Sequence, residues 1–306
     1  MDRIATILHL YHIDLWYEFK VLLEPFKNNI KLYLSLCKEY DTTSIIKECF
    51  NTFDTNIYLS NNYGADISSF LNILPYIKEK YFIKLHTKKS QLGQFNHVKW
   101  RHILLHDLIG KKNAIIDNYK IISNYNNCGA IGNKHFLLTN NENYHSKQIQ
   151  ELCKLLNINY SKINNYSFFG GTMFMSHTEL FRKHFCPYNH ELQKILSKEK
   201  NKVIEKYSGT YSHALERIFG YVISYNHLNF YHPELQYIKI LNTKAPMGYF
   251  HMIKLYNNDC YLQEDANVYG HIIDDSISNF TIQWYHIDSN PIQKYDFVDK
   301  ATVIQN

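Results

Sequence analysis

The stretch Tyr81-Phe82-Ile83-Lys84-Leu85-His86-Thr87-Lys88-Lys89-Ser90 runs from an apolar strand into a basic turn. Residues 81–85 are short, apolar on both sides of Lys84 and bounded by polar turns, the pattern of a buried strand. Toward the N-terminus, Ile4–Leu10 and residues 30–36 and 56–59 have the same character. Helical patterns at 15–23, 43–53 and 68–78 separate them, the second led by Thr42-Thr43-Ser44, which offers caps for its first turn. This alternation predicts βαβ units, hence an α/β fold with a Rossmann-like, mostly parallel sheet. Ligands of such sheets bind beyond the carboxyl ends of the strands, so the loops after Leu10, Leu59 and Leu85 are expected to converge on one site.

Toward the C-terminus the spacing predicts helices over 100–109 and 114–122, a strand at 128–131 and an amphipathic stretch at 146–156. A strand at 167–176 containing Gly170-Gly171 and a strong helix at 211–224 follow. After Tyr225 no helical period persists. Residues 257–306 are rich in Asp, Asn and Tyr with β-prone pieces such as 280–285, which predicts a small irregular or β appendage. The expected division is residues 1–225 and a C-terminal extension, 226–306, packed on them.

The chain has 306 residues, 45% hydrophobic, 15% aromatic and 20% charged, a globular composition that excludes a disordered tail or a collagen-like fibre. No apolar run approaches the ~20 residues needed to span a bilayer. The start, Met1-Asp2-Arg3 before Ile4, reads as the approach to a core strand rather than as a signal peptide. Six cysteines without a C-x-x-C pair argue against a zinc knuckle or a disulfide framework and fit free thiols in a reducing, cytoplasmic setting. A net charge of +5 favours a small anionic ligand and lacks the basic stripe of a duplex-binding protein, so no nucleic-acid partner is expected. His102 and His106 stand at i,i+4 without the glutamate of H-E-x-x-H and read as surface histidines.

Four constellations carry chemistry. Asn61-Asn62-Tyr63-Gly64-Ala65-Asp66-Ile67 is a strand-to-helix loop with a glycine free to take positive φ and an aspartate able to accept two hydroxyl hydrogen bonds, as a ribose would offer. It equally reads as a turn in which Asp66 caps the helix starting at Ser68. His86-Thr87-Lys88-Lys89-Ser90 is a diphosphate cradle or a solvated basic turn. Gly170-Gly171-Thr172-Met173-Phe174 marks either a close ligand approach or a β-bulge. Gly209-Thr210-Tyr211-Ser212-His213-Ala214-Leu215-Glu216-Arg217 puts His213, Glu216 and Arg217 within one helical turn, as a general base with its orienting groups or as an ion pair.

Together these segments, with Trp100-Arg101 between them, resemble the rhamnan synthesis protein F family of polysaccharide glycosyltransferases, over Ile4 to Gly220. The departures from its pattern are Ala65 at a commonly basic position, Ser68-Ser69 for a Gly-Pro-like pair, and Met175 for a common Trp. The resemblance implies a GT-A-like glycosyltransferase fold. It also implies transfer of a sugar, rhamnose or a related deoxysugar, from a nucleotide-diphosphate donor to a glycan acceptor. Donor binding would fall to Asn61, Gly64, Asp66, His86, Thr87, Lys88 and Lys89. The acceptor side would be Gly170, Gly171, Thr172, His213 and Arg217, with Glu216 as catalytic base and the paired glycines leaving room for the sugar. Where that fold usually carries D-x-D on a divalent metal, this chain has His86-Thr87-Lys88, so no metal or other cofactor is expected. The acidic pairs Glu264-Asp265 and Asp274-Asp275 lie in the unmatched tail and read as solvated surface. A non-catalytic carbohydrate-binding or scaffold protein of the same fold is the alternative.

Overall fold

The computed structural model describes residues 1–89, 97–139, 145–160, 166–199 and 210–232, and the backbone of six strands between residues 237 and 304. Ser90, Gly209, Glu264 and Asp265 lie outside the described residues. Two compact units result, Met1–Lys88 with Ile103–Pro233, and Lys89–His102 with Glu234–Asn306.

The first unit runs β1 (Ile4–Leu10), α1 (Trp16–Leu23), β2 (Ile30–Cys37), α2 (Thr43–Thr52), β3 (Thr55–Ser60), α3 (Ala65–Ile73) and β4 (Tyr81–His86). Then come α4 (His97–Leu105), which begins in the second unit, α5 (Ala114–Asn124), β5 (Cys128–Ile131), β6 (Leu137–Thr139), α6 (Ser146–Leu155), β7 (Ser167–Phe169) and β8 (Phe174–His177). It ends with α7 (Thr178–Phe185), α8 (Asn189–Leu196), α9 (Tyr211–Tyr225) and β9 (Asn229–Tyr231). Seven strands form the sheet in the order β3-β2-β1-β4-β8-β5-β9. The pairs β1–β2, β2–β3, β1–β4 and β5–β9 are parallel, whereas β8 is antiparallel to both β4 and β5. The α/β expectation is met. Because β8 alone reverses, its amino end lies at the same edge as the carboxyl ends of β1, β3, β4 and β5. The turn before β8 therefore joins the loops that follow those strands.

β1 is buried along its whole length, as a central strand covered on both faces must be. Under the carboxyl edge sits a cluster of phenylalanines from four elements. Phe70 of α3 meets Phe219 of α9 with ring centroids 5.5 Å apart, and Phe82 of β4 meets Phe174 of β8 at 5.8 Å. Such pairs add about 0.5–1.5 kcal/mol each beyond their area. Phe70 follows Asp66 by one helical turn and Phe219 follows Glu216 likewise, so this packing fixes the spacing of the charged residues above it.

The strand expected over 167–176 is two strands in different sheets. β7 pairs with β6, β8 joins the main sheet, and Gly170-Gly171-Thr172-Met173 is the turn between them. The turn is imposed by left-handed backbone at Gly171 (φ 86°) and Thr172 (φ 54°). The helix expected over 100–109 ends at Leu105 and continues as a π-helical turn, His106–Gly110. His106, read as a surface histidine, is buried, with Nδ1 2.9 Å from Asp107 Oδ1.

In the second unit, β10 (Tyr237–Ile240), β11 (Ile253–Tyr256), β12 (Asp259–Leu262), β13 (Val268–Asp275), β14 (Asn279–His286) and β15 (Gln293–Ile304) form a closed antiparallel barrel. The irregular option for the tail is thus replaced by a regular one, in which every strand finds two partners and no edge remains. Asp274 and Asp275 belong to β13. Among the described residues no helix is long and apolar enough to cross a membrane, and five cysteines are free thiols.

Candidate active site

The carboxyl edge of β4 carries an ionic cluster built around Lys84. A lysine in the middle of a buried strand needs a partner, because an unpaired ammonium in the interior is costly. Lys84 finds Asp66 in the first turn of α3, forming a short ion pair with Oδ2. Its Nζ also donates to Thr172 O at 3.1 Å and to Thr172 Oγ1 at 2.9 Å. Thr172 Oγ1 in turn donates to Asp66 Oδ2 at 2.6 Å. His86 Nδ1 stands 3.3 Å from the same oxygen, within ion-pair reach but outside hydrogen-bond geometry.

The electrostatics follow from burial against pairing. Burial pushes the Asp66 carboxyl up, but His86 and Lys84 beside it outweigh this and hold it well below the usual range. Burial lowers Lys84, with the Asp66 charge opposing. Burial also takes His86 down to about 4 against the pull of Asp66. At neutral pH the cluster is therefore an Asp66–Lys84 ion pair beside a neutral imidazole. Lys88, half-buried, is close enough for its charge to depress both Lys84 and His86. Lys89 is exposed and belongs to the second unit.

The loop before α3 is held in left-handed backbone at Asn62 (φ 55°), Gly64 (φ 58°) and Ala65 (φ 52°). A Cβ on Gly64 would meet the Leu196 side chain of α8 at 2.7 Å, so this glycine serves packing as well as conformation. Asn61 is exposed, whereas Asn62, not singled out by the sequence, accepts from His9 Nε2 at 3.0 Å. Ser35 lies 3.2 Å from His9 Nδ1, so a neutral His9 links β1, β2 and the β3 loop. Asp66 is inside the helix and not its cap, which removes the capping reading. Non-glycine residues at positive φ store of order 1–3 kcal/mol each and concentrate at functional sites.

Thr87 braces the scaffold. Its Oγ1 accepts from Tyr11 N at 3.1 Å and His12 N at 3.0 Å, and its N–H donates to His9 O at 3.1 Å. The turn leaving β1 is thereby fastened to the turn leaving β4.

On the β8 side, Gly171 N donates to Glu216 Oε1 at 2.6 Å, and Arg217 Nη1 lies 3.4 Å from Glu216 Oε2. Arg217 also donates to His213 O at 2.9 Å and sits 4.9 Å over the Phe168 ring. His213 Nδ1 is 2.6 Å from Thr210 Oγ1, which caps α9. Its ring stacks on His145 at 5.6 Å, and His145 is lowered to about 4 by burial and by the charges of Arg217 and His213. Lys84 feels the charge of Glu216, which places the two halves of the site in one electrostatic neighbourhood. The space expected beside Gly170 is filled, since a Cβ there would lie 2.7 Å from Leu138 Cδ1.

One buried acid escaped the sequence reading. Asp107 is fully buried, with Oδ1 taking Lys111 Nζ at 2.8 Å and His106, and Oδ2 taking Asn133 Nδ2 at 2.7 Å. Asn133 follows β5 at the same sheet edge, so Asp107 anchors that turn. The i,i+4 spacing of Asp107 and Lys111 is a local signal that the sequence carries, whereas Asn133 lies 26 residues away, beyond any local pattern. Among the described residues no three His, Cys, Asp or Glu side chains gather as a metal-holding group.

The family model described as Rhamnan synthesis protein F matches residues 1–228. No curated protein matches the chain. A match across that whole first stretch, carrying the Asp66–Lys84–Thr172 cluster and the Glu216 turn, places this chain in the rhamnan synthesis protein F family.

Proposed function

We propose that this chain is a glycosyltransferase of polysaccharide synthesis that moves rhamnose or a related deoxysugar from a nucleotide-diphosphate donor to a glycan acceptor. The family supports a rhamnan-synthesis role of glycosyltransferase type. The sheet order and the single reversed strand β8 suit a GT-A-like architecture. The observation that carries the reading is the cationic exit of β4, where Lys88 and neutral His86 stand beside a self-neutralised Asp66–Lys84 pair.

In the proposed reaction the acceptor hydroxyl oxygen attacks the donor's anomeric carbon as the bond from that carbon to the diphosphate oxygen breaks. The nucleoside diphosphate leaves with the bonding electron pair, its charge met by Lys88, with His86 donating a hydrogen bond and Lys89 adding charge. The hydroxyl proton passes to Glu216, whose orientation Gly171 N–H and Arg217 fix. Positive charge comes from side chains, so transfer is metal-independent and survives chelation. The decisive experiment is a thermal-shift screen of nucleotide sugars followed by a transfer assay with EDTA. Binding and EDTA-resistant turnover of one donor support the reading; loss with EDTA and return with manganese overturn the metal-free mechanism.

One observation favours a second reading, a non-catalytic carbohydrate-binding or scaffold protein. Asp66 and Glu216 both have protein partners, as carboxylates that only hold a fold together would. Failure of every nucleotide sugar to bind or turn over, with glycan binding intact, would establish it.

A further inference from the structure

Ser35 of β2, His9 of β1 and His86 of β4 are register partners across parallel strands, so the three polar side chains share one face of the sheet at its carboxyl edge. All three are buried, and the proposed reaction uses only His86. His9 feels the charges of Asp66 and Lys84, which puts it on the face that carries the Lys84 cluster. Burial lowers the His9 pKa and keeps the ring neutral. Its Nε2 stands 3.0 Å from Asn62 Oδ1 and its Nδ1 3.2 Å from Ser35 Oγ. A neutral ring that donates from Nε2 accepts at Nδ1, here from the Ser35 hydroxyl. Ser35 thus sets the tautomer of His9, and His9 sets the rotation of the Asn62 carboxamide. With Oδ1 taken, what Asn62 presents is its pair of N–H donors. Asn62 is half-buried in the turn after β3, in left-handed backbone (φ 55°) that asparagine tolerates.

We propose that Asn62 binds the diphosphate of the nucleotide donor through these N–H groups, and that His9 is the positioning residue that aims them. The inference rests on the donor site read at the β4 exit. His9 stands one strand spacing, ~4.8 Å, from His86 in the sheet, so the carboxamide bonded to His9 borders the edge where His86 and Lys88 stand. A diphosphate offers more oxygens than one ammonium and one imidazole can meet. Another cation at this edge would depress Lys84 and His86 further, as the charge of Lys88 already does. A neutral amide donates to a phosphate oxygen without that effect, and a hydrogen bond to a charged acceptor is one of the strong ones. Burying an imidazole costs more than burying an apolar side chain, and the bond to Asn62 gives the fold a reason to keep it. If the Ser35–His9–Asn62 chain served only to fasten the β3 turn, any acceptor at position 62 would do. Aspartate there keeps an oxygen for His9 and tolerates left-handed backbone, but replaces the donors with a negative charge.

The test is calorimetry of the full chain with UDP, dTDP, GDP and ADP, alongside thermal melts. The unaltered chain is expected to bind at least one of the four. Asn62→Asp should weaken that binding on the order of ten-fold or more while the melting temperature holds. Asn62→Gly, which also accepts left-handed backbone, should lose less, because it removes the donors without adding charge. His9→Leu should weaken binding as Asn62→Gly does, and His9→Gln, whose amide can donate to Asn62 Oδ1, should restore most of it. Should His9→Leu not fold, His9→Asn takes its place, since it keeps a partner for Ser35 and is too short to reach Asn62. Native affinity in folded Asn62→Asp overturns the proposal. Failure of both Asn62 variants to fold makes Asn62 a structural residue and overturns it likewise, and equal affinity in the two His9 variants removes the role given to His9. If the unaltered chain binds a nucleoside diphosphate and Asn62→Asp binds it equally, this inference alone ends. If the unaltered chain binds none, the proposed donor site ends and this inference with it.

Discussion

Thr172 Oγ1 donates to Asp66 Oδ2 at 2.6 Å across 106 residues of sequence, joining the turn before β8 to the first turn of α3. Lys84 closes the triangle from β4. One hydroxyl thus satisfies a buried cation and a partly buried anion, and holds a β-branched residue in left-handed backbone. Thr172→Val keeps the shape and removes both bonds. It is expected to cost about 1.5–3 kcal/mol, the range for hydrogen bonds to charged groups, in urea unfolding.

Lys84→Met is expected to be more severe, about 3–5 kcal/mol, because it leaves the partly buried Asp66 without its counter-charge. The double variant Lys84→Met/Asp66→Asn should recover part of that loss. Additive losses in a double-mutant cycle would show that the pair is not coupled.

Stability should fall in two windows as pH decreases. His86 titrates near 4 folded and near ~6.5 unfolded, so below ~6.5 the unfolded chain binds the extra proton and stability drains away down to about 4. His145, also lowered to about 4, acts in the same direction. Asp66 has a depressed folded pKa, so its contribution is intact above ~3.9 and lost only at more acid pH. His86→Gln should make the decline between pH 6.5 and 4 shallower in denaturant melts, and an unchanged slope would remove His86 from the account.

Lys88→Ala should weaken nucleoside diphosphate binding by ~1.5–3 kcal/mol in calorimetry, the worth of one charge-assisted contact. Lys89→Ala gives the parallel measurement. Unchanged affinity in both would move the donor away from the β4 exit.

Glu216→Gln keeps size and an oxygen to accept from Gly171 N–H, and removes basicity. If Glu216 is the base, turnover falls about 10²-fold or more with donor binding intact. Near-normal turnover in the folded variant would assign it to holding the Gly171-Thr172 turn.

Gly220→Ala addresses packing alone. A Cβ there would lie 2.1 Å from Ser167 O and 2.7 Å from Phe168 Cα, so the backbone of β7 or α9 must move. Overpacking of this kind costs typically about 1–3 kcal/mol, readable as a lowered melting temperature.

The sequence by itself determined the α/β alternation, the strands β1 to β4 and the loops that meet at the sheet edge, because hydrophobic period and turn residues are local signals. It also determined the family, through motifs spread from Ile4 to Gly220, within the residues 1–228 that the family model matches. Tertiary structure alone decided what those motifs contact. Lys84 looked like an interruption in a strand until Asp66 and Thr172 came to it from 18 and 88 residues away. Thr87 accepts two N–H groups of the β1 turn on its hydroxyl oxygen, and Leu138 fills the space expected beside Gly170. Asp107 and Lys111 stand at i,i+4 in the sequence, but the burial of Asp107 and its bond to Asn133 had no local signature. A side chain's chemistry is set by what it faces, and a buried charge is answered by whichever element folding brings beside it, which no periodicity along the chain encodes.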